Sequence, residues 1–139
     1  GCLLANRLSK DPKNKVLLVE AGSHDKHFWV HVPVGYLYTM GDQQTSWGYH
    51  TEPQPGMSGR SIAYPRGRLL GGCSSINGMI YQRGQERDYN RWELEHKNPG
   101  WNWSAVSKYF NNMLDYDIPD GNPDYKRGGE WHVEPPRVR

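Results

Sequence analysis

The densest chemical signal in the chain is the run Pro65-Arg66-Gly67-Arg68-Leu69-Leu70-Gly71-Gly72-Cys73-Ser74-Ser75-Ile76-Asn77-Gly78. Gly67 and the pair Gly71-Gly72 let backbone approach a ligand closely and take positive φ, both of which a Cβ opposes. The small residues that follow predict a short helix from Ile76 to about Arg83, capped by Ser74 or Ser75. Free N–H groups at such a helix start suit a phosphate or the polar edge of a ring. Asn77 both donates and accepts, so it suits a heterocycle. Arg66 and Arg68 suit a phosphate or a carboxylate equally. The same residues also fit a structural glycine turn followed by a capped helix, and spacing alone leaves both readings open.

A second constellation lies at the N-terminal end. Residues Cys2 to Leu8 read as the end of a helix, with Leu3, Leu4, Ala5 and Leu8 apolar and Asp11-Pro12 as the breaker. Val16-Leu17-Leu18-Val19 is a continuous apolar run, expected to form a strand buried on both faces of a parallel sheet and ended by Glu20. Helix, turn, buried strand and terminal acid make the second half of a βαβ dinucleotide unit. There a glycine turn holds pyrophosphate and a carboxylate about 20 residues on binds ribose hydroxyls. Gly1 takes the place of the last glycine of that turn, and Glu20 the place of the carboxylate. A carboxylate at this point repels a 2′-phosphate, so NADP is disfavoured. Glu20 reads as readily as an ordinary strand-end acid.

The elements that must position these groups are loop-rich. The chain has 139 residues, sixteen Gly, ten Pro, six Trp and nine Tyr. It is 35% hydrophobic, below the roughly 45–50% of ordinary domains, a benchmark that also counts Gly. Its aromatic content argues against a disordered polymer. Residues 23–64 show poor periodicity and many Gly and Pro, as expected of a long ordered loop with short pieces of structure. Helices are expected from about Arg87 to Glu95 and from Asn102 or Ser104 onward. The second of these carries Val106, Tyr109, Phe110, Met113 and Leu114 on one face. Gly129-Glu130-Trp131-His132-Val133 reads as a strand. The chain opens on Gly1 and ends on Arg139 without a closing element, so it is expected to be an interior portion of a larger protein.

The net charge of +2 demands no nucleic-acid or membrane partner. No apolar run approaches the roughly 20 residues of a membrane span. Cys2 and Cys73 match no metal or redox spacing, and a reducing compartment is the default. The location is not fixed by the sequence; cytoplasmic or peripheral to the inner membrane is expected. No metal site is expected: His24, His27 and His31 have suggestive spacing, but Pro33 makes a regular helix there doubtful, and they read as loop histidines. Arg83, Arg87 and Arg91 alternate with acids, as on a solvated helix face with ion pairs. Trp92, Trp101, Trp103 and Tyr109 read as core. Asn102-Trp103-Ser104 fits a glycosylation sequon, without secretory signals to support its use.

Gly67-Arg68-x-Leu70-Gly71-Gly72-x-Ser74-x-Ile76-Asn77, followed by Tyr81, Gly84 and Asn90, resembles the first signature of the glucose–methanol–choline (GMC) oxidoreductases. Ala5-Asn6-Arg7-Leu8, Val16 to Gly22, Trp47-Gly48-Tyr49-x-Thr51-Glu52-Pro53 and Tyr81-x-Arg83-Gly84 fall in the family's order. The stretch Ile76 to Tyr81 is most similar to the choline-dehydrogenase-like branch.

The resemblance implies an α/β chain: an incomplete Rossmann-like FAD-binding domain over residues 1–128, lacking the first strand and most of the glycine turn. Residues 129–139 would begin a substrate-binding domain. It implies FAD contacts at Gly1, Glu20, Cys73, Asn77, Gly78, Met79 and Ile80, with Gly1 beside the pyrophosphate and Glu20 on the adenosine ribose. Cys73 to Ile80 would lie along the ribityl chain and isoalloxazine. Some relatives tether FAD through a His just before the signature Asn; Ile76 stands there, which implies a noncovalent flavin. The implied activity is oxidation of an alcohol, choline-like or another primary alcohol, by hydride transfer to flavin and onward to oxygen, a quinone or a carrier. The family's catalytic His lies in a part of its sequence that none of these histidines occupies. No catalytic residue is therefore carried over, and the chain alone is expected to be inactive and to bind no FAD. A nicotinamide-dependent dehydrogenase sharing the βαβ half, and a noncatalytic binding domain descended from a flavoprotein, are the alternatives.

Overall fold

The computed structural model describes residues 1–116 and 125–135. It is an α/β chain that divides into two compact units, Gly1–Ile80 and Tyr81–Arg139.

The first unit opens on α1 (Cys2–Leu8). Asn14 Nδ2 donates to the Leu8 carbonyl at 3.1 Å, meeting one of the acceptors that every helix end leaves unpaired. The expected buried strand Val16–Val19 is not formed. The segment has no regular structure, and Leu17 and Val19 are 85% and 81% exposed. The cause is pairing: a strand exists only as part of a ladder, and no described segment bonds alongside these residues. The first pairing comes just beyond them, where Ser23 bridges Leu69 in parallel.

Two 3-10 turns, Phe28–His31 and Pro33–Gly35, lead into the single-turn helix α2 (Tyr36–Thr39). The expected long loop then resolves into an irregular antiparallel ribbon over residues 45–68. Trp47 N donates to Arg66 O at 2.9 Å, Tyr64 N to Tyr49 O at 2.7 Å, Thr51 N to Ile62 O at 2.9 Å and Gly59 N to Gln54 O at 3.0 Å. The 3-10 turn Pro55–Met57 reverses the chain, with Ser58 and Gly59 at φ 56° and 70°. The pattern escapes a period-2 reading because glycines and prolines interrupt the ladder into isolated bridges. Leu69 and Ile76 are the buried apolar residues of this unit, beside buried Thr39, Thr45 and Ser46. Thr45 Oγ1 donates to Thr39 O at 2.7 Å, so the hydroxyl is buried with its bond made.

In the second unit, α3 (Glu86–Leu94) starts where Asp88 Oδ2 accepts from Gln85 N at 3.0 Å, half of a capping box. Its exposed face carries the i,i+4 pair Arg91–Glu95 at 3.0 Å. Helix α4 (Trp103–Met113) is capped by Asn102, whose Oδ1 accepts from Ala105 N at 2.9 Å. Glu93 ties the two helices: its Oε2 accepts from Gly100 N at 3.0 Å, Asn102 N at 3.1 Å and Asn102 Nδ2 at 2.8 Å. Those donors, the Asn102 side chain foremost, hold its carboxyl below the ordinary range against the opposing cost of desolvation. Tyr89 meets Trp92, Trp103 and Phe110, and Trp92 meets Trp101. Tyr109, expected in the core, is 74% exposed. Leu114, expected on the α4 face, instead opens strand β1 (Leu114–Tyr116), which pairs in parallel with β2 (Trp131–Val133) in the register Leu114↔Trp131. The chain leaves its helical path there because Leu114 takes extended backbone, ψ 133°. The expected strand at 129–133 is thus present as β2. Among the described residues no helix is long and apolar enough to cross a membrane.

Two outcomes follow from these features. The isolated 139-residue chain should scatter light and bind a hydrophobic dye, and Leu17→Lys with Val19→Lys should markedly reduce both signals; no change would show that the apolar run is not the sticky surface. For Glu93, a depressed folded pKa means stabilisation present above its unfolded value, about 4.3, and lost as pH falls through the lower folded value. The difference in Tm between wild-type protein and Glu93→Gln should therefore be present at pH 7 and shrink below about pH 4.

Candidate functional site

The glycine run sits between two neighbours that hold it by backbone. Leu70 N donates to Ser23 O at 2.9 Å on one side, and Arg68 N donates to Thr45 O at 2.9 Å on the other. The approaches leave no room for side chains at two glycines. A Cβ on Gly22 would fall 1.9 Å from Arg68 O, and one on Gly67 would fall 2.2 Å from Gly72 O. The turn after Glu20 is therefore packed directly against the signature run, and Gly67 directly against the start of the Gly72–Ser75 turn.

Glu20 is exposed, and its Oε1 accepts from Gly22 N at 2.8 Å. A carboxylate has about four acceptor sites, so the group keeps capacity for hydroxyl donors while its orientation is fixed by the Gly22 amide. Gly1 serves as the N-cap of α1, its carbonyl accepting from Ala5 N at 2.8 Å. Among the described residues no hydrogen bond joins it to the rest of the group.

From Gly71 onward the expected helix Ile76–Arg83 is replaced by something tighter. Gly72–Ser75 is a 3-10 turn, Gly71 and Gly72 stand at φ +90° and +56°, and Ile76 onward is non-helical up to Gln85. Ser74 and Ser75 are not caps: their hydroxyls donate backward to Gly71 O at 2.6 Å and Leu70 O at 2.8 Å. Asn77 explains why no helix follows. Its Oδ1 accepts from Met79 N at 2.8 Å, a local turn that competes with helix formation, and Met79 lies at φ 55°, uncommon for a residue with a Cβ. Cys73 is exposed and its Sγ accepts from Gly67 N at 3.4 Å.

This geometry moves the free donors. They are not at a helix start but on the exposed segment Asn77–Ile80, where the amides of Asn77, Gly78 and Ile80 donate to no acceptor among the described residues. Gly78 rests against the Tyr36 ring, 3.8 Å from where its Cβ would be. The exposed segment thus carries three amides without acceptors among the described residues, beside exposed Met79 and Ile80; polar groups next to apolar side chains suit a heterocycle. Cys73, Asn77, Gly78, Met79 and Ile80 are brought together on one continuous stretch, and Glu20 is joined to it through Gly22, Ser23 and Leu69. The role of Gly22 was missed in the sequence; the signal for it is a glycine two residues past a strand-end acid.

Arg66 and Arg68 are paired to no carboxylate among the described residues. The Arg66 guanidinium lies 3.8 Å over Tyr64 and that of Arg68 lies 5.0 Å over Trp47. The histidines disperse: His27 Nε2 lies 3.2 Å from Asp42 Oδ2, and His31 Nε2 lies 2.7 Å from Asp25 O.

The family described as GMC oxidoreductase matches residues 14–136. The mitochondrial choline dehydrogenase of Mus musculus is 42% identical over 141 aligned residues, taking in 96% of this chain and 23% of that protein. The oxygen-dependent choline dehydrogenase of Rhizobium etli (strain CIAT 652) is 45% identical over 136 residues, with 96% and 24% covered. The crystal structure of pyridoxine 4-oxidase from Mesorbium loti superposes with a TM-score of 0.81 at 34% identity, over 94% of this chain and 25% of that one. The chain spans about a quarter of the length of these relatives. On the family match and these identities, the chain belongs to the GMC oxidoreductase family, in its choline-dehydrogenase-like branch.

Proposed function

We propose that the protein containing this chain binds FAD noncovalently and oxidises an alcohol, choline-like or another primary alcohol, passing electrons on to oxygen, a quinone or a carrier. The observation that carries the reading is the exposed Asn77, Gly78 and Ile80 amides without acceptors among the described residues, following a run whose Arg68 and Leu70 amides are bonded to Thr45 and Ser23. The family match favours a flavin over a nicotinamide.

In this reading residues 1–128 belong to the cofactor domain and 129–139 begin the substrate domain. Flavin, when bound, supplies the hydride acceptor. The work of this chain is to hold and orient. Glu20, aimed by the Gly22 amide, accepts from the adenosine ribose hydroxyls. The N–H groups opened at Gly1 by the start of α1 favour negative charge at the pyrophosphate. Backbone from Cys73 to Ile80 would hold the ribityl chain and the ring. Ile76, buried at 3% exposure, offers no nucleophile for a covalent tether. The general base that takes the alcohol proton is supplied outside these residues.

The test is expression of the full-length protein. It should purify with flavin absorbance and reduce an artificial dye acceptor with an alcohol from a panel including choline. Acid precipitation should leave the flavin in the supernatant; flavin remaining on the precipitate would overturn the noncovalent reading. Glu20→Ala should weaken FAD binding about tenfold or more, the worth of a hydrogen bond to a charged group being about 1.5–3 kcal/mol. Gly67→Ala must push Gly72 backbone away, at a cost of about 1–3 kcal/mol, and should yield protein depleted in flavin.

A further inference from the structure

We infer that Trp47 is a positioning residue for the flavin-facing turn and acts through Arg68; the inference rests on the flavin reading above. Two backbone bonds, Trp47 N to Arg66 O and Arg68 N to Thr45 O, both 2.9 Å, bracket Gly67. Gly67 in turn touches Gly72 and Cys73 backbone too closely for any side chain, and its N–H reaches Cys73 Sγ at 3.4 Å. Sideways movement of residues 66–68 is therefore passed directly to the first residues of the turn that leads into Asn77.

Side chains reinforce that bracket at the same point. The Arg68 guanidinium lies 5.0 Å over the Trp47 ring, and Tyr49 extends the surface with its ring nearly parallel to Trp47, 5.8 Å between centroids and 7° between planes. With no carboxylate partner among the described residues, the charge of Arg68 is spent on the indole face. A cation so placed is oriented by the ring quadrupole and gains more as water is excluded. Trp47 is 43% exposed, so changing it leaves the buried residues of this unit in place. Arg68 is then a brace, and not a phosphate ligand.

The test uses the full-length, FAD-loaded protein and two readouts, the rate of FAD release and the visible circular dichroism of the flavin. Trp47→Leu keeps apolar bulk and loses the π face; Trp47→Phe keeps a π face. Trp47→Leu should release FAD about two- to fivefold faster, the equivalent of 0.5–1 kcal/mol for an exposed cation–π contact, and alter the flavin dichroism. Trp47→Phe should restore most of both. Arg68→Met should match Trp47→Leu, and the double variant should add nothing further, because the two side chains act as one unit. Unchanged release and dichroism in Trp47→Leu, equal losses in Phe and Leu variants, or a far larger loss in Arg68→Met would each overturn the inference, the last by placing Arg68 on the cofactor itself. If Trp47→Leu does not fold, Arg68→Met decides alone: a two- to fivefold change upholds the brace, and no change or a far larger one removes it. Wild-type protein without flavin would instead overturn the flavin reading beneath it.

Discussion

The first unit depends on the peptide groups of Arg68 to Leu70, which are bonded on both sides: to Thr45 by one amide and to Ser23 by another. Backbone pairing of this kind is insensitive to side-chain identity, so it fixes position while leaving the surrounding sequence free to be irregular. Leu69 lies between the two bonds and is fully buried. Apart from Gly1, the residues proposed to meet the cofactor hang from this seam. Glu20 reaches it through Gly22 and Ser23, and Asn77 to Ile80 reach it through Gly67, Gly71 and Gly72. The absence of a Cβ at Gly22 and Gly67 lets the three strands of chain close to backbone contact.

Legibility in the sequence followed the range of the interactions. Local rules located α1, α3 and α4 and the Asn102 cap, because helix starts and apolar spacing are written within a few residues. Pairing between distant segments was not legible. Val16 to Val19 has the composition of a buried strand, yet a strand's burial is a property of its neighbours. The ribbon at 45–68 joins residues that no short window contains, such as Trp47 with Arg66. The helix expected from Ile76 failed for a local reason that composition hides: Asn77 spends its side chain on the Met79 amide. The small residues around Gly71 mark the segment proposed to meet the cofactor. The amides proposed to face it lie on a non-helical segment and not at a helix terminus.

The second unit is organised around a carboxylate. Glu93 collects three donors from the loop that follows its own helix, and this sets where α4 begins. The aromatic residues at Tyr89, Trp92, Trp101, Trp103 and Phe110 pack around that junction, but Trp92 and Trp101 remain about half exposed, so they form a surface cluster and not the closed core their composition suggested. Asp115 repeats the device at the strand pair: its carboxyl is held below the ordinary range first by the Gly128 amide and then by His132. In both places an acid supplies acceptors that a short loop cannot provide for itself.

The Asn102 side chain at that junction faces both ways, its oxygen on α4 and its nitrogen on Glu93. That nitrogen is also the atom a glycan would occupy in the triplet Asn102-Trp103-Ser104. The bond to Glu93 and a glycan would thus share one atom, while the cap on α4 uses the other. A chain modified there would keep one N–H on that nitrogen, and the sugar would have to fit beside Glu93 for the junction to close.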